Sequence, residues 1–177
     1  MRKRKALAAL AAALTIVSGA WLLSRTGASG RHAGGPPLNR AWDAIHEKIF
    51  LAEQLQRNPT HAPILLRLAQ IERSAGNLQA AREYLEKAEA ANGSQVAIRL
   101  ELGLVDSEMG DLRAAEAQNR AVLQIDHRQP DALYNLGAIA ANRGDMDQAR
   151  RLWTDAIHSG GTSDAGAKAK MAMERLP

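Results

Sequence analysis

The sequence contains no cysteine, which excludes a disulfide framework and a thiolate metal site and leaves the redox compartment open. Aromatic residues make up only 3% of its 177 positions while alanine and leucine abound. That balance suits a single modest domain whose core is helix packed on helix, and it argues against a sheet. Chemistry-bearing constellations are missing as well. The five histidines, His32, His46, His61, His127 and His158, share no metal-ligand spacing. Acidic pairs such as Glu83 with Glu86 and Asp145 with Asp147 fall where helices need caps and solvated faces. Glycines at 76, 110 and 144 stand singly at helix ends and form no phosphate-binding loop after a strand. The chain is read as a non-enzyme that needs no metal and no cofactor.

The net charge of +4 and the isoelectric point near 9.8 invite a nucleic-acid reading, which the distribution of charge removes. Arg2, Lys3, Arg4 and Lys5 form a basic cluster, and from Ala41 onward 16 basic residues face 19 acidic ones, a net of −3. No nucleic-acid partner is expected. Residues 6–23 follow the cluster without a charge, near the lower limit for a membrane-spanning helix. Positive charge before the stretch predicts residues 1–5 in the cytoplasm and the remainder on the other side, as a single-pass protein of the inner (cytoplasmic) membrane with a periplasmic or extracellular domain. The alternative is a cleaved signal peptide releasing a soluble periplasmic or secreted adaptor, with small residues at Ser18-Gly19-Ala20 or Thr26-Gly27-Ala28 as cleavage sites. The anchor is preferred because the apolar run continues through Trp21-Leu22-Leu23. Residues 24–38, rich in glycine and proline, read as a flexible linker.

Beyond the linker, residues 39–58 read as an amphipathic helix with Trp42, Ile45, Ile49 and Leu55 on one side, ended by Asn58-Pro59. It is expected to cap the first of three repeats, either as a dedicated helix or as a degenerate half-repeat. The repeats themselves are explicit. Gly76-Asn77-Leu78-Gln79-Ala80-Ala81 returns as Gly110-Asp111-Leu112-Arg113-Ala114-Ala115 and as Gly144-Asp145-Met146-Asp147-Gln148-Ala149, each 34 residues after the last. Leu68-Ala69, Leu102-Gly103 and Leu136-Gly137 keep the same register eight positions before the glycine. Each glycine can close one helix in the left-handed conformation, and Asn77, Asp111 or Asp145 can cap the next. Gln148 adds a capping box in the third copy. Small residues at Ala81, Ala115 and Ala149 let the paired helices approach closely.

A 34-residue period with Leu-Gly early, Gly-Asn/Asp in the middle and alanine five residues later resembles the tetratricopeptide repeat, over about 100 of the 177 residues. The resemblance implies an all-α fold, a right-handed α-solenoid of three tetratricopeptide-type helix pairs over 62–161 (62–95, 96–129 and 130–161), with capping helices at 39–58 and 162–177. An N-terminal transmembrane helix is expected to precede it. The pairs are expected at 62–75 with 78–91, 96–109 with 112–125, and 130–143 with 146–158. Pro63 and Pro130 fall in first turns. The expected core is Leu65, Leu68, Leu78, Leu85 and Ala88, then Leu102, Leu112, Val122 and Ile125, then Leu133, Leu136, Met146, Trp153 and Ala156. Arg99 stands at the family's first bulky position and Asn119 at its later aromatic one, which predicts loose packing in the middle copy.

The family commonly holds an extended peptide or a helix in a concave groove lined by its leading helices. Carried over by register, the fifth positions are Leu66, Leu100 and Tyr134, and the ninth are Gln70, Leu104 and Ala138. The twelfth are Arg73, Ser107 and Ala141, and the thirteenth Ser74, Glu108 and Asn142. The implied partner is another protein, bound through a peptide or helical segment; the alternative is that some of these residues pack against a neighbouring repeat or under the 39–58 helix. Leu66 and Gln70 replace the lysine and asparagine of the variant that clamps a terminal carboxylate, so a chaperone-tail adaptor is not expected. Repeat proteins of this layout resemble accessory factors in cytochrome c maturation, envelope assembly and secretion. Self-association through an open edge is left open.

Overall fold

The computed structural model describes residues 37–91 and 94–175. The expected tail, anchor and most of the linker lie outside them. The chain divides at Arg40, and residues 41–177 form one compact unit. Eight helices and no strand occur among the described residues: α1 Pro37–Arg57, α2 Ala62–Ser74, α3 Leu78–Ala90, α4 Gln95–Glu108, α5 Leu112–Ile125, α6 Pro130–Asn142, α7 Met146–Gly160 and α8 Asp164–Glu174. Among them no helix is long and apolar enough to cross a membrane.

The repeated glycines act as expected. Gly76, Gly110 and Gly144 take φ of 80°, 85° and 84°. Each closes its helix with the same two bonds: Gly76 N–H donates to the Arg73 carbonyl at 2.9 Å and Asn77 N–H to the Glu72 carbonyl at 2.9 Å, with equivalents at 110–111 and 144–145. These bonds change the capping. Asp111 and Asp145 side chains accept from Ala114 N–H at 3.0 Å and Gln148 N–H at 2.9 Å. The Asp145 N–H is taken by the Ala140 carbonyl at 3.0 Å, which leaves it unavailable for a reciprocal bond from Gln148. Asn77 makes no side-chain cap at all; its Nδ2 donates backward to Glu72 Oε2 at 2.8 Å.

Within each pair, α2 with α3, α4 with α5 and α6 with α7, a small residue faces a larger one 16 positions on. Ala69 meets Leu85 in the first core cluster. A Cβ added to Gly103 would come 2.5 Å from Asn119 Nδ2, and one added to Gly137 would come 2.5 Å from the Trp153 ring. Glycine inside a helix costs about 1 kcal/mol relative to alanine. Burying the Trp153 ring returns about 3 kcal/mol, so the exchange favours the pair. Ala81, Ala115 and Ala149 are fully buried at the crossings.

Most of the expected core is buried, with Leu78, Leu112 and Met146 half-buried at helix starts. Ile125 is a correction: as the last residue of α5 it lies 54% exposed. The middle copy is closed at the first of its two departures. Arg99 reaches from α4 to Glu89 Oε1 on α3 at 2.9 Å and Gln118 Oε1 on α5 at 3.0 Å, so it stitches two repeats instead of leaving a void. Asn119 is fully buried and donates to the Ala115 carbonyl at 2.8 Å.

The two ends behave differently. Helix α8, capped by the Ser163 side chain, buries Ala165, Gly166 and Ala169 and leaves Lys168, Lys170, Glu174 and Arg175 exposed. Helix α1 begins at Pro37 and leaves Trp42, Ile45 and Ile49 more than half exposed, so only Leu55 of its expected apolar face packs on the core. Polar contacts hold it: Glu47 takes Arg67 at 2.5 and 2.7 Å, and Lys48 Nζ reaches Glu72 Oε1 at 2.6 Å.

Lys48 stands 34 residues before Arg82, and Glu72 stands 34 before Asp106. Arg82 Nη1 approaches the buried Asp106 Oδ1 at 3.4 Å, so the Lys48–Glu72 ion pair has a counterpart 34 residues on. The two acids differ in what surrounds them. Burial raises the Glu72 carboxyl, but hydrogen bonds from Lys48 and Asn77 with the Lys48 charge outweigh it and hold it below its usual range. Burial also raises Asp106, Arg82 opposes only in part, and Oδ1 has no hydrogen bond, so this carboxyl stays above its usual range.

A depressed carboxyl contributes stability that is present above its unfolded value near 4.5 and lost as pH falls through the lower folded value. A raised one contributes stability that is present below 3.8 and lost as pH rises through the higher folded value. Glu72→Gln is therefore expected to lower the unfolding free energy by about 1–2 kcal/mol at pH 7 and to flatten the acid limb. Asp106→Asn is expected to change it by less than about 0.5 kcal/mol or to raise it. Urea denaturation at pH 7 and pH 4 separates these outcomes; equal losses in both variants contradict the assignment.

Candidate functional site

The leading helices α2, α4 and α6 lie side by side, and the register that fixes their buried leucines also fixes what their other face presents. None of the twelve expected groove residues is buried. Ser74, Ser107, Glu108, Ala138 and Asn142 are exposed, and Leu66, Gln70, Arg73, Leu100, Leu104, Tyr134 and Ala141 are half-buried.

Toward α1 this face is tied across by charge. Arg73 Nε donates to Glu101 Oε2 at 3.0 Å and its Nη1 to Glu108 Oε1 at 2.7 Å, while Gln70 Nε2 donates to Glu101 Oε1 at 3.1 Å. Burial lowers the Arg73 guanidinium, but its hydrogen bonds to Glu108 and Glu101 and the charges of those carboxylates together leave it above its ordinary value. Three expected groove residues are thus committed to joining α2 with α4, the second of the two readings of these positions. Leu66 packs against the first core cluster and Tyr134 against the last, and the Tyr134 carbonyl accepts from Trp153 Nε1 at 3.1 Å.

Toward α8 the face is open. Leu104, Ser107, Ala138 and Asn142 come together around a cavity of about 130 Å³ between α4 and α6. Gly103, Asn119 and Asn135 also line it, with Asn135 Nδ2 donating to Asn119 Oδ1 at 3.0 Å. The cavity has a specific origin. Where Trp153 fills the space over Gly137, the shorter Asn119 fills only part of that over Gly103, and the small Ala138 leaves the opening unobstructed. Leu112 and Ile139 complete the wall, which carries amides, a hydroxyl and aliphatic carbons but no charge. Such a lining accepts an uncharged side chain that fills the space and exchanges hydrogen bonds with an amide.

Sequence reasoning missed Glu101, Asn119 and Asn135 as residues of this face. Glu101 has no acidic equivalent in register, since Arg67 and Asn135 occupy its place in the other copies. Asn119 did carry a signal, its departure from the family's aromatic position. Among the described residues no group of acidic and histidine side chains is placed to hold a metal ion.

Residues 62–94 match the tetratricopeptide repeat family. Over 115 residues the chain is 28% identical to the putative cellulose synthase operon protein C of Escherichia coli O157:H7 and 27% identical to the cellulose synthase operon protein C of Escherichia coli K12. Each match covers 62% of this chain and 10% of the relative, so the chain spans about a tenth of the length of the curated relatives it matches. The crystal structure of MamA superposes with a TM-score of 0.62 at 20% identity, covering 82% of this chain and 85% of that one. The Cut9 and Hcn1 hetero-tetramer of the APC/C gives 0.66 at 17% identity over 76% of this chain and 27% of that one. YrrB, described as a TPR protein with an unusual peptide-binding site, gives 0.58 at 17% identity over 78% and 74%. The chain carries a tetratricopeptide repeat at 62–94 and shares the fold of that family's helix-pair arrays.

Proposed function

We propose that this chain is a non-enzymatic scaffold that presents the α2, α4 and α6 face as a groove to a peptide or helical segment of another protein, as an accessory or assembly factor. Tetratricopeptide proteins bind peptides or other proteins, and the similar YrrB has a peptide-binding site. The observation that carries the reading is the uncharged cavity at the second inter-repeat junction, where four residues selected by register converge. A side chain entering it becomes desolvated against Leu104 and Ile139 while Asn135 or Asn142 meets its polar atom, the combination that concentrates binding energy in a few contacts. The sequence of residues 1–23 supports placing this groove on the outer side of a bacterial inner membrane, held by a single anchor.

Leu66 and Tyr134 pack on the core, so changes there alter folding together with binding. Ala138 is exposed and offers the cleaner test. Ala138→Leu plugs the cavity and is expected to leave helical content unchanged and the unfolding temperature within about 2 °C. Crosslinked capture of the partner from native membranes should fall at least about tenfold. Equal recovery by the native chain and by Ala138→Leu moves the interface elsewhere. Because the cavity wall is uncharged, capture is further expected to change less than about twofold between 50 and 500 mM salt. A steep salt dependence shifts recognition to the Arg73, Glu101 and Glu108 end.

A further inference from the structure

Helix α1 breaks the pattern of the trailing helices at one face. With Lys48 in register with Arg82, Ile45 corresponds to Gln79, Arg113 and Asp147, and Ile49 to Glu83, Ala117 and Arg151. All six equivalents are exposed, five are polar and none is larger in apolar bulk than alanine. In α1 the same outward positions carry isoleucines, each 54% exposed. Phe50, the one phenylalanine of the chain, lies beside them at 59% exposed, and Trp42 extends the stripe toward the helix start, its ring edge-on to His46 with centroids 4.6 Å apart. The opposite side of α1 is fixed by the Glu47 to Arg67 and Lys48 to Glu72 pairs and by Leu55. The roll of the helix is therefore set: Trp42, Ile49 and Phe50 stay clear of the repeats, while Ile45 borders the cleft between α1 and α2 beside Gln70 and Ile71.

We propose that this stripe rests on the interface of a zwitterionic lipid bilayer, inserting Trp42, Ile49 and Phe50 between headgroups. The inference rests on the anchored reading above. Between Leu23 and Pro37 lie 13 residues, which even fully extended span at most about 45 Å, so α1 stays close to the surface in which residues 6–23 are held. A tether of that length keeps the effective concentration of α1 at the surface in the millimolar range, so a short stripe suffices where a free helix would not. The substitution of apolar for polar residues on α1 and not on the repeats confines the contact to the end of the array nearest the tether. Electrostatics point to neutral lipid. Exposed Asp43 and Glu53 outnumber exposed Arg57 on the helix, and the Lys48 charge is spent on Glu72, so the contact draws on apolar insertion and not on attraction to anionic headgroups.

The absence of cysteine makes the test direct. Full-length chains carrying Ile49→Cys or, as the register-matched control, Glu83→Cys are labelled with an environment-sensitive fluorophore and placed in phosphatidylcholine nanodiscs at one copy per disc. The label at 49 is expected to emit at shorter wavelength and to be quenched by aqueous iodide several-fold less than the label at 83, at both low and high salt. Equal quenching at the two positions overturns the lipid contact and leaves the anchored scaffold standing. Protection that arises only in discs holding two copies makes the stripe an interface between chains and overturns the lipid contact likewise. Carbonate extraction of native membranes tests the anchor separately: release of the full-length chain overturns both readings.

Discussion

Two helices joined by a three-residue turn can lie against each other only where one of them has almost no side chain, and the whole array depends on that steric constraint. Position by position the small partner is Ala69, Gly103 or Gly137, and the larger one opposite is Leu85, Asn119 or Trp153. The size of the second member decides what the pair becomes. Leucine gives a dry core, tryptophan a filled one with its Nε1 bonded to the Tyr134 carbonyl, and asparagine an incompletely filled one. The cavity on the open face follows from the middle case. A recognition element and a packing defect are here the same feature.

Much of this was legible in the sequence, because the repeat fixes what a single copy would leave ambiguous. The glycine turns, the helix pairs to within about two residues and most of the buried leucines follow from the 34-residue register. The failures lie where one residue has two uses. Asn77 reads as a cap, but the Glu72 carboxylate five residues back competes for its amide and wins. Arg99 reads as a hole in the core, yet its long stem reaches two partners on separate helices, which spacing alone cannot reveal. Ile125 has the right register but is the last residue of its helix, beyond the reach of the neighbouring helices' cores.

The groove was legible as a surface and not as a set of contacts. Register places all twelve residues on the accessible face, but it does not say which face one another across helices. Arg73, Gln70 and Glu108 are engaged through Glu101, a residue outside the pattern, so the first half of the face is closed by its own charges. Leu104, Ser107, Ala138 and Asn142 stay available because the facing residues between α4 and α6 are small or uncharged. Pairing between elements is a long-range property, and a period of 34 carries no information about it.

The junctions between repeats bear on assembly. Lys48 meets Glu72, Arg82 meets Asp106, and at the third junction the polarity reverses: Glu116 takes Arg143 at 2.5 Å. Omitting the second repeat would set Arg82 against Arg143, and stacking one second repeat on another would set Glu116 against Asp106, like charges in both cases. Near-identical backbones could otherwise be joined in several orders, a hazard that repeat proteins meet as domain swapping and misassembly. The charge sequence therefore sorts the third helix pair from the first two: Lys48 and Arg82 would each accept Glu72 or Asp106, whereas Glu116 would accept only Arg143.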